Sequence, residues 1–441
     1  MSAHHDTHVL TREEILSATD RPIGRGVKLA SLIFAILGAI VFLFGAIQGE
    51  HRAWQALHVN WLFFVSVSQA AVVFVAVQRI TTARWSRPIV RLLEGYVAFL
   101  PVGFLLLVLI FLGRHHIFPW THEAPPVPEK VFWFDPAFVI GRDLVVFAIL
   151  VLLSVWYVYT SVRLDVGRSQ EAGAKWARGL RDRMRRGFGD ERREIHTTHS
   201  RQGRLAVFLC LAFGFFMSLL SWDLSMTLDM HFQSTLYSWW FFMGGWLGAL
   251  MSWALLTMWW RRHLDAYDLI TDHHFHDLGK LCFAFTAFWG YLTFGQYLVI
   301  WYGNMGEETH WARLRLIAPW LKFTLPVVFL VFVLPFFGLL SRAAKVFLPT
   351  LAFFAISSLV GLWLLRYIEV YPSLHYESSH APFGLYEIGV TLGYLGLWGL
   401  CYAAFMDAFP RMRVTLMTSP YRDQVQVPFD PETMETMPAH E

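Results

Sequence analysis

The 441-residue chain is 56% hydrophobic and 17% aromatic, and only 16% of its residues are charged. Soluble domains carry about 25% charged residues, so this composition excludes a soluble globular protein and indicates an integral membrane protein. The formal net charge of +3 favours no class of partner, because the charges are clustered between apolar stretches. The three cysteines, Cys210, Cys282 and Cys401, stand singly in such stretches and show neither a disulfide framework nor a metal-ligand spacing.

Ten apolar stretches divide the chain, each close to the roughly 20 residues that a transmembrane helix needs. They run over 27–48, 56–79, 89–112, 141–162, 203–222, 236–260, 279–302, 316–340, 346–369 and 384–408. The sequence therefore predicts an all-α, polytopic membrane protein with about ten transmembrane helices.

Lysine and arginine are distributed unevenly between the two ends of these spans. The two tails and every second loop hold 28 of the 36 basic residues, and the opposite loops hold only six. Cytoplasmic loops are enriched in lysine and arginine. We therefore expect both termini to be cytoplasmic.

The longest of the basic segments, 163–204, divides the spans into four and six. This predicts a cytoplasmic N-tail over 1–26, a four-helix bundle over 27–162, an Arg-rich cytoplasmic linker over 163–204, a six-helix region over 205–408 and a cytoplasmic C-tail over 409–441. The linker could bind anionic lipid headgroups or simply fix the topology. A nucleic-acid partner is not expected for a segment tethered to a membrane at both ends.

Two features of the spans predict how helices pack. Gly244, Gly248 and Ser252 lie four residues apart, a row of small side chains that permits close backbone approach. Pro326 and Pro335 both fall in the eighth span and should interrupt it, because each removes a backbone donor.

The histidines and cysteines argue against a redox cofactor in this chain. A membrane haem b needs axial histidines on facing helices, and of nineteen histidines only His58 lies within a predicted span. No CxxCH and no cysteine run for an iron–sulfur cluster occurs. The segment 272–277 holds three histidines and two aspartates, but its spacing matches no standard zinc pattern. We interpret it as a solvated cytoplasmic loop near a proton path and expect no metal.

Charged side chains in the bilayer cost about 2.5–3.5 kcal/mol each at its centre, so they mark candidate functional sites. The candidates in the predicted outer half are Asp143, Lys322, Arg366, Glu369 and Glu387, and those towards the inner side are Glu94, His276, Asp277, Lys280 and Asp407. We interpret them as proton-path candidates, the alternative being anchors of helix ends. Arg366 and Glu369 should pair on one helix face, and Lys322 should reach a carboxylate on another helix or extend outward.

The seventh span carries polar and aromatic residues on one face. Thr293, Gln296, Tyr297, Ile300, Trp301 and Asn304 recur at steps of three and four. This spacing places side chains on one stripe of a helix. Hydrogen-bonded packing between helices is the plainer explanation of such a stripe, and ligand contact is the alternative.

Three blocks of sequence carry a family resemblance. The blocks are Trp222-Asp223 through Leu228-Asp229-Met230-His231, then His276-Asp277-Leu278-Gly279-Lys280-Leu281, and then Phe288-Trp289-Gly290-Tyr291 through Gln296-Tyr297 and Ile300-Trp301-Tyr302 to Glu307-Glu308-Thr309. On these residues the chain resembles the F-type integral subunit of alternative complex III, a bacterial quinol:cytochrome c (or oxidase) oxidoreductase. That subunit is similar to the NrfD/polysulfide-reductase membrane family.

The resemblance implies NrfD-like helix bundles in the bacterial inner membrane and a role in quinol oxidation and proton translocation. The partners it implies are a second NrfD-like membrane subunit, a periplasmic iron–sulfur subunit, c-type cytochrome subunits with haem c, lipids, and in some complexes a terminal oxidase. Quinol or quinone is then the ligand. The expected contacts with quinone or with partner subunits are Asp223, Asp229, His231, Gln296, Tyr297, Trp301, Glu307 and Glu308.

Two other functions fit a cofactor-free membrane protein of this kind. One is a stand-alone secondary transporter, which would be expected to show internal repeats and broken helices at the midplane; the sequence shows no clear repeat. The other is a purely structural membrane anchor of the complex. Co-purification with c-type cytochromes would separate the transporter from the other two.

Overall fold

The computed structural model describes residues 11–123, 128–169 and 173–418 of the chain. It is 80% helical, and these residues include no β-strand. Within the same ranges, ten helices are long and apolar enough to cross a membrane. The all-α prediction and the predicted number of spans are confirmed to that extent.

We number these ten helices α1 to α10 in chain order. Their bounds are α1 Arg25–Ile47, α2 His51–Ile80, α3 Val90–Leu112, α4 Pro136–Arg168, α5 Glu191–Leu224, α6 Tyr237–Leu264, α7 Asp272–Gly303, α8 Leu321–Gly338, α9 Leu348–Leu374 and α10 Leu385–Ala408. Shorter helices outside the spans cover Arg12–Thr19, Arg178–Arg185, Gly306–Leu316, Arg342–Val346 and Val414–Met417. The outermost parts of both predicted tails, 1–10 and 419–441, lie outside the described residues.

Helix α2 forms the centre of the bundle. Its most apolar 18-residue window is 94% buried, and it packs against α5, α6, α9 and α10. The corresponding windows of α1 and α8 are only 17% buried. Side chains exposed on α1, such as Ile36 and Ile40, are apolar. A helix with an exposed apolar face suits contact with lipid tails, whereas α2 makes its contacts within the protein.

Glycines bring α1 and α10 into backbone contact. A Cβ atom added at Gly38 would lie 2.1 Å from the Cα of Gly393 and 2.9 Å from the carbonyl oxygen of Gly389. No side chain fits at that distance, so the crossing depends on glycine. This contact joins the first predicted bundle to the last span of the second, and the sequence analysis did not identify it.

The predicted small-residue row on α6 also lies in a close helix contact. A Cβ atom added at Gly248 would stand 2.8 Å from Cγ2 of Val67 on α2. At Gly245 the backbone of α2 itself is close, because a Cβ atom added there would stand 2.8 Å from the carbonyl oxygen of Ser66. The close approach predicted for this face is confirmed, and Gly245, outside the predicted row, shares it.

Hydrogen bonds between polar side chains connect the helices inside the bundle. Gln69 Nε2 on α2 donates to Ser154 Oγ on α4 at 2.8 Å, and the Tyr96 hydroxyl on α3 donates to Ser252 Oγ on α6 at 2.7 Å. These neutral groups act as packing contacts, because each buried donor has an acceptor on a neighbouring helix.

Several helices extend beyond the predicted spans. Asp190 caps α5 by accepting a hydrogen bond from the Arg193 backbone N–H at 3.0 Å, so the helix begins at Glu191 rather than at 203. Helix α7 begins at Asp272, where the Thr271 backbone N–H donates to Nδ1 of His274 at 3.0 Å. The predicted loop over 272–277 is therefore wrong: these residues form the first turns of α7.

The predicted interruption of the eighth span is present. Helix α8 consists of α-helical residues Leu321–Val328, a π-helical segment Phe329–Val333 and a final α-helical turn Leu334–Gly338. Pro326 and Pro335 flank the π-helical segment, as expected where backbone donors are missing.

Candidate functional site

An apolar cavity of about 350 Å³ lies among α6, α7, α8, α9 and the short helix Gly306–Leu316. This volume falls within the range of about 300–1,000 Å³ that is usual for small-molecule sites. Aromatic side chains form much of its wall: Trp240, Trp289, Phe294, Tyr297, Trp311 and Phe332. Aliphatic side chains from α8 and α9 complete the wall, including Val327, Val328, Leu365 and Ile368.

Helix α7 presents one face to this cavity. Trp289, Thr293, Gln296 and Ile300 follow each other at steps of four, three and four, and all four line it. With Tyr297, four of the six predicted stripe residues line a cavity rather than only a helix interface. Tyr297 stands at its margin and is 46% exposed. The cavity therefore reaches the outer surface of the protein beside α7.

The polar atoms in the cavity are few. The Gln296 side-chain oxygen accepts from Ser234 Oγ at 2.8 Å, and Thr293 Oγ1 accepts from Trp240 Nε1 at 2.9 Å. The indole N–H of Trp289 is buried and has no hydrogen-bond partner among the described residues. A buried donor without an acceptor is rare in folded proteins, so the Trp289 N–H is available to a ligand oxygen.

Arg315 connects the cavity to α9. It is 5% exposed, and its guanidinium donates to the carbonyl oxygens of Trp311 and Glu369, each at 2.8 Å, and to Ser373 Oγ at 3.0 Å. Burial lowers the pKa of Arg315 to about 10, so the group remains a cation at neutral pH. From the sequence, Arg315 was identified only as one of the six basic residues in the loops opposite the basic side.

Behind the cavity, Arg366 and Glu369 form a buried ion pair on α9. Arg366 Nη1 lies 2.8 and 2.7 Å from the two Glu369 carboxylate oxygens, and both side chains are at most 2% exposed. Arg366 Nη2 also donates to the Phe241 carbonyl at 2.7 Å. The predicted pairing is confirmed. Gly244 lies close to both groups, because a Cβ added there would stand 3.2 Å from Arg366 Nη2 and 3.7 Å from Trp289 Nε1.

Lys322 is not part of this pair. Its side chain is exposed, and the contact it makes within the described part of the chain is with the ring of Phe323, whose centroid lies 5.3 Å from Nζ. The prediction that Lys322 reaches a carboxylate on another helix is wrong. The alternative, an outward-directed lysine, describes the structure, since an exposed ammonium keeps its solvation.

Glu387 lies at the start of α10 in a separate network. Its carboxylate accepts from Arg52 at 2.8 and 3.2 Å, from the Tyr371 hydroxyl at 2.8 Å and from the Gly384 backbone N–H at 2.7 Å. Because Tyr371 is on α9, this carboxylate connects three spans. It is fully buried and fully hydrogen-bonded, as a structural brace requires.

Asp143 and Asp223 share one arginine. Arg142 donates to Asp223 Oδ2 at 2.7 Å and lies 3.8 Å from Asp143 Oδ1, and Trp133 Nε1 donates to Asp223 Oδ1 at 3.2 Å. Asp223 is 1% exposed. This carboxylate, expected to contact quinone or a partner subunit, is buried and is bonded to groups of its own chain.

The predicted inner candidates do not lie at one site. Glu94 is buried beside Arg91 and accepts from Ser161 Oγ at 3.2 Å. Asp407 accepts from the Ile23 backbone N–H at 3.1 Å and pairs with Lys28, which ties the N-terminal segment to the end of α10.

The remaining inner candidates lie on the first turns of α7. Lys280 Nζ pairs with Asp277 Oδ1 at 2.6 Å, and both side chains are accessible, as is part of the neighbouring His276. An accessible pair on one helix contributes little to stability.

Five predicted contact residues lie at the opposite end of the bundle. His231 and Glu307 are exposed, Asp229 and Glu308 are partly exposed, and Trp301 on α7 is 70% exposed outside the cavity. Glu307 and Glu308 lie in the first turn of the helix Gly306–Leu316, where their negative charges stabilise the N-terminus of the helix. These residues remain candidates for contact with partner subunits.

No family model matches the chain, and no curated protein matches it. The comparisons therefore add nothing to the family resemblance, and the chemistry of the cavity and of its neighbouring ion pair is the basis for a functional assignment.

Proposed function

We propose that the chain is a membrane subunit of a respiratory quinol:cytochrome c (or oxidase) oxidoreductase complex and that quinol binds in the cavity beside α7. The observation that carries the proposal is the composition of this cavity: aromatic and aliphatic walls, a margin at the protein surface, and two buried N–H groups, at Trp289 Nε1 and Arg315 Nε, that have no partner among the described residues. A quinol has a flat apolar ring, an apolar tail and two oxygens. Each of these features matches one part of the cavity.

The proposed binding contacts follow from the polar atoms. The Trp289 N–H donates to one quinol oxygen, and the aromatic side chains pack against the ring. Gln296 and Thr293 already make hydrogen bonds to the protein, so they set the shape of the cavity. Tyr297 and Phe294, at the margin, stand where the tail would leave towards the lipid.

Oxidation of the quinol releases two electrons and two protons. We assign the electrons to iron–sulfur clusters and haem c in partner subunits, which the family resemblance implies. We assign proton handling to Arg366 and Glu369. The support for this is proximity: the Trp289 indole nitrogen and the Arg366 guanidinium both lie close to Gly244.

The proposed setting is the bacterial inner membrane, with both termini in the cytoplasm. The Lys and Arg bias supports this orientation. The proposal then places the cavity, Arg366 and Glu369 in the outer half of the bilayer. Exposed His231 and Glu307 lie on the same side, where the iron–sulfur and haem c subunits would dock.

A pair of bulky substitutions tests the quinol site. Val328→Trp fills the cavity from its margin, and Val360→Trp adds the same bulk to a lipid-facing position of α9 outside the cavity; the two valines are 40% and 48% exposed. In the purified complex, Val328→Trp is expected to raise KM for quinol at least tenfold or abolish turnover. Val360→Trp should leave both the KM for quinol and the turnover rate unchanged.

The finer test is Trp289→Phe, which keeps a ring and removes the N–H. A hydrogen bond to a neutral group contributes about 0.5–1.5 kcal/mol, so KM should rise about two- to tenfold. Unchanged kinetics in both Trp289→Phe and Val328→Trp, with c-type cytochromes still co-purifying, would indicate that the chain is only a structural anchor of the complex. Purification without any c-type cytochrome would favour the transporter.

A further inference from the structure

Two histidines meet at the end of the bundle where α2 begins. His51 is the first residue of α2, and His116 ends the short 3₁₀ helix Arg114–His116 that follows α3. Their Nδ1 atoms lie 3.3 Å apart, and their ring planes are inclined at 65° with centroids 4.8 Å apart. The two residues are 65 positions apart in the chain, so only tertiary packing brings the two nitrogens together.

The His116 ring is held in place by packing that does not involve His51. The indole of Trp54 stacks on it, with ring centroids 5.6 Å apart and planes 5° from parallel. Trp54 in turn packs on the backbone at Gly113, where an added Cβ would stand 2.1 Å from Trp54 Cε3, and it meets the Phe42 ring edge-to-face with centroids 5.0 Å apart. A ligand group fixed in this way loses little conformational entropy on binding.

His116 is in the protonation state that a metal ion requires. Partial burial lowers its pKa, and the neighbouring imidazoles of His51, His115 and His122 lower this pKa further. The ring is therefore neutral at neutral pH, with an unprotonated nitrogen available as a ligand. Water can reach the pair, because the His51 side chain is exposed.

The separation of the two nitrogens fits one tetrahedral metal ion. Zn–N bonds of about 2.0–2.1 Å at the tetrahedral angle of about 109° place two ligand nitrogens about 3.3–3.4 Å apart. The Nδ1–Nδ1 distance of 3.3 Å matches that edge. The described residues contain no group of three or more His, Cys, Asp or Glu side chains that could hold an ion. The pair therefore supplies two ligands, and water completes the coordination.

We propose that His51 and His116 bind a first-row transition-metal dication of the Zn²⁺ class through their Nδ1 atoms. Imidazole nitrogen suits Zn²⁺, Cu²⁺ and Ni²⁺, whereas Mg²⁺ and Ca²⁺ prefer oxygen ligands. The bound ion connects the start of α2 to the segment after α3, and an ion that binds only the folded state stabilises it. The site is independent of the proposed quinol chemistry.

Zn²⁺ titration of the full-length, tag-free chain tests the site. The N-tail histidines are first replaced by Gln, so that they add no zinc binding: His4, His5 and His8. In this background, His51→Gln and His116→Gln each remove one ligand at similar size. His380→Gln is the matched control, because His380 is exposed in the loop between α9 and α10 at the same end of the bundle.

The proposal predicts about one equivalent of saturable Zn²⁺ binding per chain, with a rise in melting temperature that the same concentration of Mg²⁺ does not produce. His51→Gln and His116→Gln should each weaken the binding about tenfold or more, and His380→Gln less than about twofold. Absence of a saturable Zn²⁺ site overturns the proposal. Equal affinities in the three variants overturn it as well, because they would show adventitious binding only. Thermal unfolding without metal shows whether each variant is folded, and His51→Gln, at an exposed position, is expected to fold.

Discussion

At the scale of single residues, several of the buried charges are held in ion pairs. Arg366 and Glu369 pair within one helix, and Glu387 pairs with Arg52 across helices. A buried ion costs several kcal/mol of desolvation, which only a partner with good geometry offsets. The pairing of Arg366 with Glu369 could be predicted from the sequence, because residues three apart lie on the same face of a helix. The partner of Glu387 depends on how helices pack, which spacing does not encode.

Substitutions of Arg366 and Glu369 should be strongly non-additive. Glu369→Gln or Arg366→Met alone leaves one buried charge unpaired and is expected to destabilise the protein by about 3–5 kcal/mol, whereas the double substitution should cost much less. Thermal unfolding of the purified complex measures the difference. If the pair handles protons, Glu369→Gln also lowers the proton-to-electron ratio in reconstituted vesicles. A normal ratio with a lowered melting temperature would restrict the pair to a structural role.

At the scale of helices, the number of spans was predictable and their ends were not. Long apolar stretches identify the spans because each must match the bilayer. Helices α5 and α7 continue into polar sequence, where Asp190 and the Thr271–His274 contact define their starts. The cavity itself was not predicted. The spacing on α7 placed its polar side chains on one stripe, for which helix packing was the plainer explanation, and Arg315 and the α8 side chains reach the cavity only through tertiary packing.

The contact between α1 and α10 gives a prediction at this scale. Gly38→Ala would place a methyl group 2.1 Å from the Cα of Gly393, so the helices must separate, at a cost of about 1–3 kcal/mol. Gly26→Ala, on the same helix, meets nothing within 4 Å. Gly38→Ala should therefore lower the melting temperature or the yield, and Gly26→Ala should not. Equal melting temperatures would show that α1 does not pack on α10 as described.

At the scale of the whole molecule, two cavities lie at opposite ends of the helices. The apolar cavity is near Gln296 and Arg315, and a second cavity, of about 500 Å³, is near Arg79 and Arg413. The excess of lysine and arginine on the second side is the basis of the proposed orientation in the membrane. In the proposed orientation, a lipid-soluble ligand would then enter on the outer side.

Cysteine labelling tests this orientation. In a variant without the native cysteines, Glu123→Cys should react in intact cells with a membrane-impermeant maleimide, and Gln170→Cys should react only after the membrane is opened. The reason is the placement of 28 of the 36 basic residues on the side of position 170. Labelling of Gln170→Cys in intact cells would reverse the assignment and place the quinol pocket on the cytoplasmic side.

The central claim is that quinol binds beside α7, and photo-crosslinking of the intact complex tests it most directly. A quinone carrying an azide on its ring would be illuminated with the purified complex, and the labelled peptides of this chain identified by mass spectrometry. The account predicts labelling within 289–300 on α7 or 324–332 on α8, suppressed by excess unmodified quinone and lost in Val328→Trp. Competitive labelling confined to another subunit, with none on these two helices, would contradict it.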